Sequence, residues 1–314
     1  PENRTFSMVC GNDDISLSEA CRLITEGGSN LFERAALERD RRFGKRLTYS
    51  PKVFLPVTNL CRDRCSYCTF RKGPKDHGAH TMTLEEIGSQ VSTGSKQGCH
   101  EALLCLGDRP EAVFPSYRKL LGEWGFRSTT DYLVEVSELC LQNGLLPHTN
   151  AGLLSPEEMQ ALRPTNVSLG LMLENVSERL CAVGGPHQSA PTKQPARRIE
   201  MLENAGKLKI PFTTGLLVGI GETLRERAET IHAIRRSHKS FGHVQEVIVQ
   251  NFRAKDHTAM ASTPDADIDE FLATLAVTRL VLGPKMRVQA PPNLVSRAEC
   301  LALIGAGVDD WGGV

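Results

Sequence analysis

One stretch decides how this chain folds and what it can bind: Val53-Phe54-Leu55-Pro56-Val57-Thr58-Asn59-Leu60-Cys61-Arg62-Asp63-Arg64-Cys65-Ser66-Tyr67-Cys68. It opens with an apolar run of strand length, and three cysteines follow in the spacing Cys-x-x-x-Cys-x-x-Cys. Three thiolates can hold three corners of a cubane iron–sulfur cluster and leave the fourth iron without a protein ligand. An open iron can bind and activate a substrate, whereas a cluster with four cysteine ligands usually only transfers electrons.

Zinc is the alternative ligand for this cysteine triad. A structural zinc site needs four tetrahedral ligands, and His77 or His80 could be the fourth. Neither spacing resembles a common zinc finger, so the cluster is favoured and zinc stays open as an alternative.

The bulk composition excludes several classes of protein. The chain has 314 residues, 40% of them hydrophobic, and Lys+Arg and Asp+Glu balance at 37 each. The overall electrostatic field therefore does not favour binding of nucleic acid. No apolar run approaches the roughly 20 residues that span a bilayer. Residues 1–14 lack a secretion-signal pattern. We expect a cytoplasmic protein with neither a nucleic-acid nor a membrane partner.

The remaining cysteines are scattered, several of them in apolar surroundings. We expect free thiols that pack as small hydrophobes, as in a reducing compartment. They are Cys10, Cys21, Cys99, Cys105, Cys140, Cys181 and Cys300.

Short β-type runs alternate with longer amphipathic segments, which predicts a parallel sheet with crossover helices. Eight such units would make a (β/α)₈ barrel and six a partial barrel. We expect an N-terminal helical extension over 1–48, a barrel core over 49–265, and strands and helices over 266–314 that complete the barrel. The predicted strands are 53–57, 102–106, 145–148, 167–173, 212–218, 244–250 and 286–290, with a weak eighth near 307–309.

The active sites of such barrels lie where strands end and loops begin, and the cysteine loop follows the first strand. Other polar residues at predicted strand ends should line the same mouth. They are Gly107, Asp108, His148, Asn150, Glu174, Gln250, Asn251 and Arg253.

The cysteine spacing, with aromatic Tyr67 before the third cysteine, resembles the signature of the radical S-adenosylmethionine (SAM) enzymes. Residues 106–111 stand where these enzymes carry a Gly-Gly-Glu-like turn, although Asp108 replaces the second glycine. Residues 215–222, Gly-Leu-Leu-Val-Gly-Ile-Gly-Glu, resemble their fifth-strand glycine motif, beside which the adenine packs.

The resemblance implies two cofactors: a [4Fe-4S] cluster on Cys61, Cys65 and Cys68, and SAM. A carboxylate at Glu174 could accept the ribose hydroxyls, and Arg198, or else Arg179, could meet the SAM carboxylate. For Glu174, an acid at a helix N-terminus is the structural alternative. The other implied SAM contacts are Tyr67, Gly107, Asp108 and Gly219.

Within these enzymes, residues 58–70, 145–150, 211–215 and 245–253 closely resemble the deazaflavin-forming synthases. These are the first of two radical SAM modules that make 7,8-didemethyl-8-hydroxy-5-deazariboflavin, the chromophore precursor of coenzyme F(420). The similarity runs over about residues 51–311. The alternatives are a biotin-synthase-like or menaquinone-pathway enzyme, or a non-catalytic iron–sulfur or zinc protein.

The resemblance implies a lyase reaction. A 5′-deoxyadenosyl radical abstracts hydrogen from 5-amino-5-(4-hydroxybenzyl)-6-(D-ribitylimino)-5,6-dihydrouracil, which closes its central ring and loses ammonia. The expected partners are this small molecule, a second radical SAM module (separate or fused), and a reductant such as flavodoxin or ferredoxin. His148, Asn251 and Arg253 are the candidate catalytic residues, with a structural role open for His148.

Overall fold

The computed structural model describes residues 15–313 as parallel strands that alternate with helices. Within that range the strands are β1 (Thr48–Ser50), β2 (Lys52–Thr58), β3 (Glu101–Leu106), β4 (Leu146–Asn150), β5 (Ser168–Gly170), β6 (Phe212–Val218), β7 (Val244–Asn251), β8 (Arg287–Gln289) and β9 (Asp310–Gly313). The α-helices are α1 (Leu17–Glu26), α2 (Ser29–Phe43), α3 (Leu84–Lys96), α4 (Pro110–Val113), α5 (Pro115–Glu123), α6 (Thr129–Gln142), α7 (Pro156–Leu162), α8 (Pro195–Lys207), α9 (Leu224–Phe241), α10 (Ile268–Leu282) and α11 (Arg297–Gly305). Short 3₁₀ turns span Glu178–Cys181, Pro191–Lys193 and Pro292–Leu294.

All strand pairs are parallel, in the order β1-β9-β8-β7-β6-β5-β4-β3-β2. The two ends of this order, β1 and β2, are separated in the chain only by Pro51. One extended segment therefore pairs with β9 through its first part and with β3 through its second, and the sheet is a nearly closed barrel. The α/β barrel predicted from the sequence is confirmed.

The strand predictions are mostly within two residues of the observed bounds, but two were wrong in extent. Regular pairing in β5 ends at Gly170, whereas the prediction ran to residue 173. Beyond Gly170 the chain leaves the regular strand. Glu174 adopts a left-handed φ of 65° and keeps only an isolated bridge to Leu216. The weak eighth strand lies at Asp310–Gly313, not at 307–309. The three-residue β1, which lacks an apolar pattern, was not predicted.

The predicted N-terminal helices are α1 and α2, which pack against α9 and α10, while residues 1–14 lie outside the described residues. The side chain of Ser16 caps α1 by accepting a hydrogen bond from the N–H of Glu19. The three-part division of the chain stays a prediction. No helix among residues 15–313 is long and apolar enough to cross a membrane.

The cysteines of the described range are free, as expected. Of the scattered set only Cys140 is fully buried; the others are partly exposed, and Cys10 lies outside the described residues. Cys140 packs within the hydrophobic core and the partly buried Cys21 and Cys99 pack against it, as expected of small hydrophobes.

A fully buried ion pair fastens α10 to the closing strands. The guanidinium of Arg279 donates from Nη2 to Asp309 (2.6 Å) and from Nε to the carbonyl of Gly307 (2.9 Å). Both side chains of the pair are fully buried. Removing one partner would leave a buried charge without compensation, which is more costly than losing an exposed pair.

We predict that Asp309→Ala lowers the free energy of unfolding by about 3–5 kcal/mol, because Arg279 would keep its charge in the core. The matched control is Glu123→Ala, which breaks the exposed pair with Lys119 and should cost less than about 1 kcal/mol. Urea unfolding under anaerobic conditions measures both. Equal losses in the two variants would show that the buried pair does not fasten the barrel.

Candidate active site

A cavity of about 240 Å³ opens at the carboxyl ends of β2 to β5. It brings together most of the residues that the sequence singled out. The predicted residues that line it are Cys61, Cys65, Tyr67, Cys68, Gly107, Asp108, Asn150, Glu174 and Arg198. Asp63, Phe70, Arg71, Leu106, Gly152, Met172, Thr192 and Lys193 complete the lining.

Backbone hydrogen bonds hold the cysteine loop from several sides. Arg64 N–H donates to the carbonyl of Ser189 and Ser66 N–H to that of Pro186, both at 2.9 Å. Cys68 N–H donates to Cys65 within the loop (3.1 Å). The loop is thus shaped by protein contacts. Burial raises the pKa of the Cys61 thiol to about 11 and that of Cys65 to about 12, so these thiols are protonated until a cation binds them.

Asp108 joins three loops at the edge of the cavity. Its N–H donates to Cys61 Sγ (3.2 Å), and its carboxylate accepts from Arg62 Nε (2.9 Å) and from the N–H of Leu153 (2.8 Å). The preceding Gly107 has no room for a side chain, since a Cβ there would lie 2.0 Å from the carbonyl oxygen of Leu60. The side chain of Asp108 is therefore engaged with the protein, and the departure from the Gly-Gly-Glu-like turn has a structural purpose.

Glu174 brings a buried carboxylate to the same cavity. Burial works to raise its pKa, but Lys193, with which it forms an ion pair, and Arg198 outweigh that effect and lower it, so the group is ionised. Its Oε2 atom is buried and has no hydrogen-bond partner. Glu174 does not begin a helix, since the next helical turn starts at Glu178. A ligand hydroxyl is the natural partner of this oxygen.

Arg198 lines the cavity, whereas Arg179 does not. Arg198 is buried and donates from Nε to the carbonyl of Met172 (2.8 Å) and from Nη1 to that of Thr192 (3.1 Å). Arg179 is exposed and pairs with Glu226. The structure therefore favours Arg198 over the alternative.

No sequence pattern indicated Lys193 and Thr192, which lie in the Pro191–Lys193 turn. Asp63, in the middle of the cysteine loop, accepts hydrogen bonds from the hydroxyl and from the N–H of Thr192, the latter at 3.2 Å. This contact fixes the turn that presents Lys193 to Glu174. The pairing joins residues 129 positions apart, so only the folded chain could show it.

Tyr67 and the glycine motif adjoin one apolar cluster beside the cavity. Tyr67 packs against Leu217, Ile220 and Phe252, and its hydroxyl lies 2.9 Å from His187 Nε2. Gly219 itself does not line the cavity. It turns the chain with a φ of 95°, and its N–H donates to the buried carboxylate of Glu222 (2.9 Å).

The three predicted catalytic residues also lie outside the cavity lining. Asn251 Nδ2 and Arg253 Nε both donate to the carbonyl of Leu294, at 3.1 and 2.9 Å, and so hold the turn after β8. His148 is buried inside the barrel, where Nδ1 lies 2.6 Å from Ser168 Oγ. Burial lowers its pKa to about 4, so the imidazole is neutral. Their catalytic roles stay predictions.

Within residues 15–313, no three histidine, cysteine or acidic side chains converge as ligands of a single metal ion. A cubane cluster makes a different demand, because each thiolate binds a different iron and the sulfurs stand further apart. His80, one of the two candidate fourth zinc ligands, lies 3.2 Å from Glu86 in an exposed pair, and the alternative with His77 stays a prediction.

The sequence matches the Radical SAM superfamily over residues 55–234. FO synthase of Mycobacterium tuberculosis is 59% identical over 274 residues, which cover 85% of this chain and 32% of that protein. The Nocardia farcinica FO synthase is 53% identical, over 96% of this chain and 36% of its own length. The 7,8-didemethyl-8-hydroxy-5-deazariboflavin synthase of Methanopyrus kandleri is 46% identical, over 85% of this chain and 80% of its own length. The chain thus spans about a third of the FO synthases and most of the archaeal protein.

Two solved structures share the fold. The FeFe-hydrogenase maturase HydG from Carboxydothermus hydrogenoformans superposes with a TM-score of 0.78 at 22% identity, over 96% of this chain and 67% of that one. Methylornithine synthase (PylB) gives 0.76 at 18% identity, over 96% and 83%. At these identities the likeness establishes the fold alone.

We predict that Asp108→Ala weakens iron retention by about 10–100-fold, because residues that orient a metal ligand contribute on that scale. Arg62 and Leu153 would lose their carboxylate acceptor, so the backbone N–H that donates to Cys61 would remain but would no longer be held in place by that side chain. Asp256→Ala, in an exposed loop, is the control. The rate of iron release to a chelator after anaerobic reconstitution measures the effect. Identical rates in the two variants would exclude this role for Asp108.

Proposed function

The chain belongs to the radical SAM superfamily and, within it, to the family of the archaeal deazariboflavin synthase, and from that premise we propose that it catalyses the ring closure that forms 7,8-didemethyl-8-hydroxy-5-deazariboflavin. The single observation that carries the proposal is the shared cavity, which is lined by three cysteine thiols and by Glu174, whose buried Oε2 has no hydrogen-bond partner. A cluster and SAM, when bound, would supply a 5′-deoxyadenosyl radical.

The residues present fit both cofactors. Cys61, Cys65 and Cys68 would hold the cluster, with the loop already shaped by its contacts to Ser189 and Pro186. A donor set of three thiolates suits iron rather than a hard cation such as magnesium.

On the SAM side, Glu174 would accept a ribose hydroxyl at its free Oε2. Arg198 and Lys193 would face the carboxylate of SAM, since both cations line the same cavity. The apolar cluster around Tyr67 would exclude water from the adenine and from the reacting carbon. Enclosure matters here because a carbon radical can abstract hydrogen from other nearby C–H bonds or react with oxygen, and a closed site prevents these side reactions.

The substrate, partner and electron donor belong to the same proposal. The substrate is the 4-hydroxybenzyl adduct of the ribitylimino-uracil. A second radical SAM module, separate or fused, would supply it, and a flavodoxin or ferredoxin would supply the electron. Cytoplasmic location is part of this proposal, since an oxygen-sensitive cluster needs a reducing compartment.

The proposal is tested with the reconstituted, reduced protein, SAM and the benzyl adduct. We expect 5′-deoxyadenosine and the fluorescence of the deazaflavin. Cys65→Ala should form neither product, while Cys21→Ala, which changes a thiol of helix α1, should form both. SAM cleavage without fluorescence would refute this substrate, and normal SAM cleavage by Cys65→Ala would refute the radical chemistry.

We predict that Glu174→Gln weakens SAM binding by about ten-fold or more, since hydrogen bonds to a charged group contribute on the order of 1.5–3 kcal/mol. Glu178→Gln removes a charge four residues away on the exposed surface and is the control. Equilibrium binding of SAM to the reconstituted protein measures both. An unchanged dissociation constant in Glu174→Gln would exclude a direct contact.

A further inference from the structure

The inner face of the barrel is unusual because much of it is polar, whereas such barrels are normally filled by branched apolar side chains. Strand alternation identifies the inner residues. Val53 packs outward against Gly94 of α3, so closely that a Cβ added to Gly94 would lie 2.0 Å from Val53 Cγ2. Because neighbouring residues of a strand point to opposite faces, Lys52 and Phe54 face inward. Cross-strand contacts extend the assignment: Lys52 Nζ lies 3.1 Å from Glu101 on β3.

One wall of this inner face is apolar. In the sheet register Phe54 stands beside Leu103, and Pro56 beside Cys105. Phe54 is 52% exposed although it points into the barrel. Its ring is therefore not covered by the protein's own side chains, and it offers a flat apolar surface to a ligand.

A row of hydrogen-bonding groups follows on β4 to β7. His148 stands beside Leu103 in the sheet register, and β6 and β7 lie across the barrel from β2. Thr213 Oγ1 donates to Glu246 Oε2 (3.1 Å), and His148 Nδ1 lies 2.6 Å from Ser168 Oγ. Gly170 makes room for the imidazole, since a Cβ there would lie 2.7 Å from His148 Nε2. Burial raises the pKa of Glu246 and lowers that of His148, so both tend toward their uncharged forms.

This row adjoins the cysteine cavity. Asn150 lines the cavity, and His148 is the next inner residue on the same strand, about 7 Å further in by strand geometry. A molecule the size of the benzyl adduct could therefore reach from the cavity to the row.

The chemistry of the row selects its ligand. Hydroxyl, carboxyl and neutral imidazole groups on neighbouring strands, about 5 Å apart, can each exchange hydrogen bonds with successive hydroxyls of a flexible chain. An anionic group such as phosphate would instead meet the carboxyl groups of Glu246 and Glu101, and the inward cation Lys52 is already paired with Glu101. The row therefore suits a neutral, polyhydroxylated chain.

We propose that the barrel interior is a two-sided substrate subsite, in which Glu246 and Thr213 bind a polyol chain and Phe54 contacts the aromatic ring. The inference rests on the proposed function, because the polyol it assigns is the ribityl chain of that substrate. It makes Glu246 and Thr213 binding residues that determine specificity.

The test uses two fluorescent probes: the deazaflavin product with its ribityl chain, and the analogue with a methyl group in its place. Each is titrated into the reconstituted protein with SAM. We expect the unaltered protein to bind the ribityl compound at least about ten-fold more tightly, as one to two hydrogen bonds would give. Glu246→Ala and Thr213→Val should lose this preference and keep their affinity for the methyl analogue.

Matched variants separate the subsite from general damage. Thr213→Ser keeps the hydroxyl and should retain the preference, as should Glu229→Ala on the outer helix α9. Phe54→Ala should weaken both probes equally. The change in the cluster spectrum on adding SAM reports that each variant is folded.

Equal binding of the two probes by the unaltered protein would overturn the subsite. The proposed function would still hold in that case if the protein formed deazaflavin. Equal loss of both probes in Thr213→Val would also overturn it. If the unaltered protein binds neither probe and forms no deazaflavin, the proposed function and the subsite both fail.

Discussion

The closure of the sheet by one extended segment is the constraint on which the rest of the structure depends. Residues 48–58 pair with β9 at their beginning and with β3 at their end. The same segment runs directly into the cysteine loop, so closing the barrel also places the thiols at its mouth. The inner face exists only because the sheet closes, and the two walls face one another for the same reason.

Carboxylates organise the mouth of the barrel in two distinct ways. Asp63 and Asp108 accept hydrogen bonds from neighbouring loops, and these contacts join the cysteine loop to the turns that surround it. Glu174 keeps one oxygen free and is held ionised by Lys193 and Arg198. The first two carboxylates therefore shape the site, and the third is left able to bind. Building the site on contacts between loops lowers the reorganisation needed when cofactors bind.

Strand-end reasoning located the mouth of the barrel but could not say which way each side chain points. It placed Gly107, Asp108 and Glu174 correctly at the cavity, because parallel strands end at one edge. It also grouped Asn251 and Arg253 with them, whereas these residues bond to the carbonyl of Leu294. For His148 the strand was right, but the residue lies one inner position below the cavity and beside Ser168.

The sequence by itself determined the barrel class, the cysteine loop and the family resemblance, because strand periodicity and motif spacing are local properties of the chain. Only the tertiary structure decided that Lys193 reaches Glu174, that Thr192 meets Asp63, and that Glu246 and Thr213 share an inner wall opposite Phe54. Each pair joins residues of different strands or loops, and no local pattern shows which of them will meet. Their proximity follows from register and closure, which depend on every strand of the sheet at once.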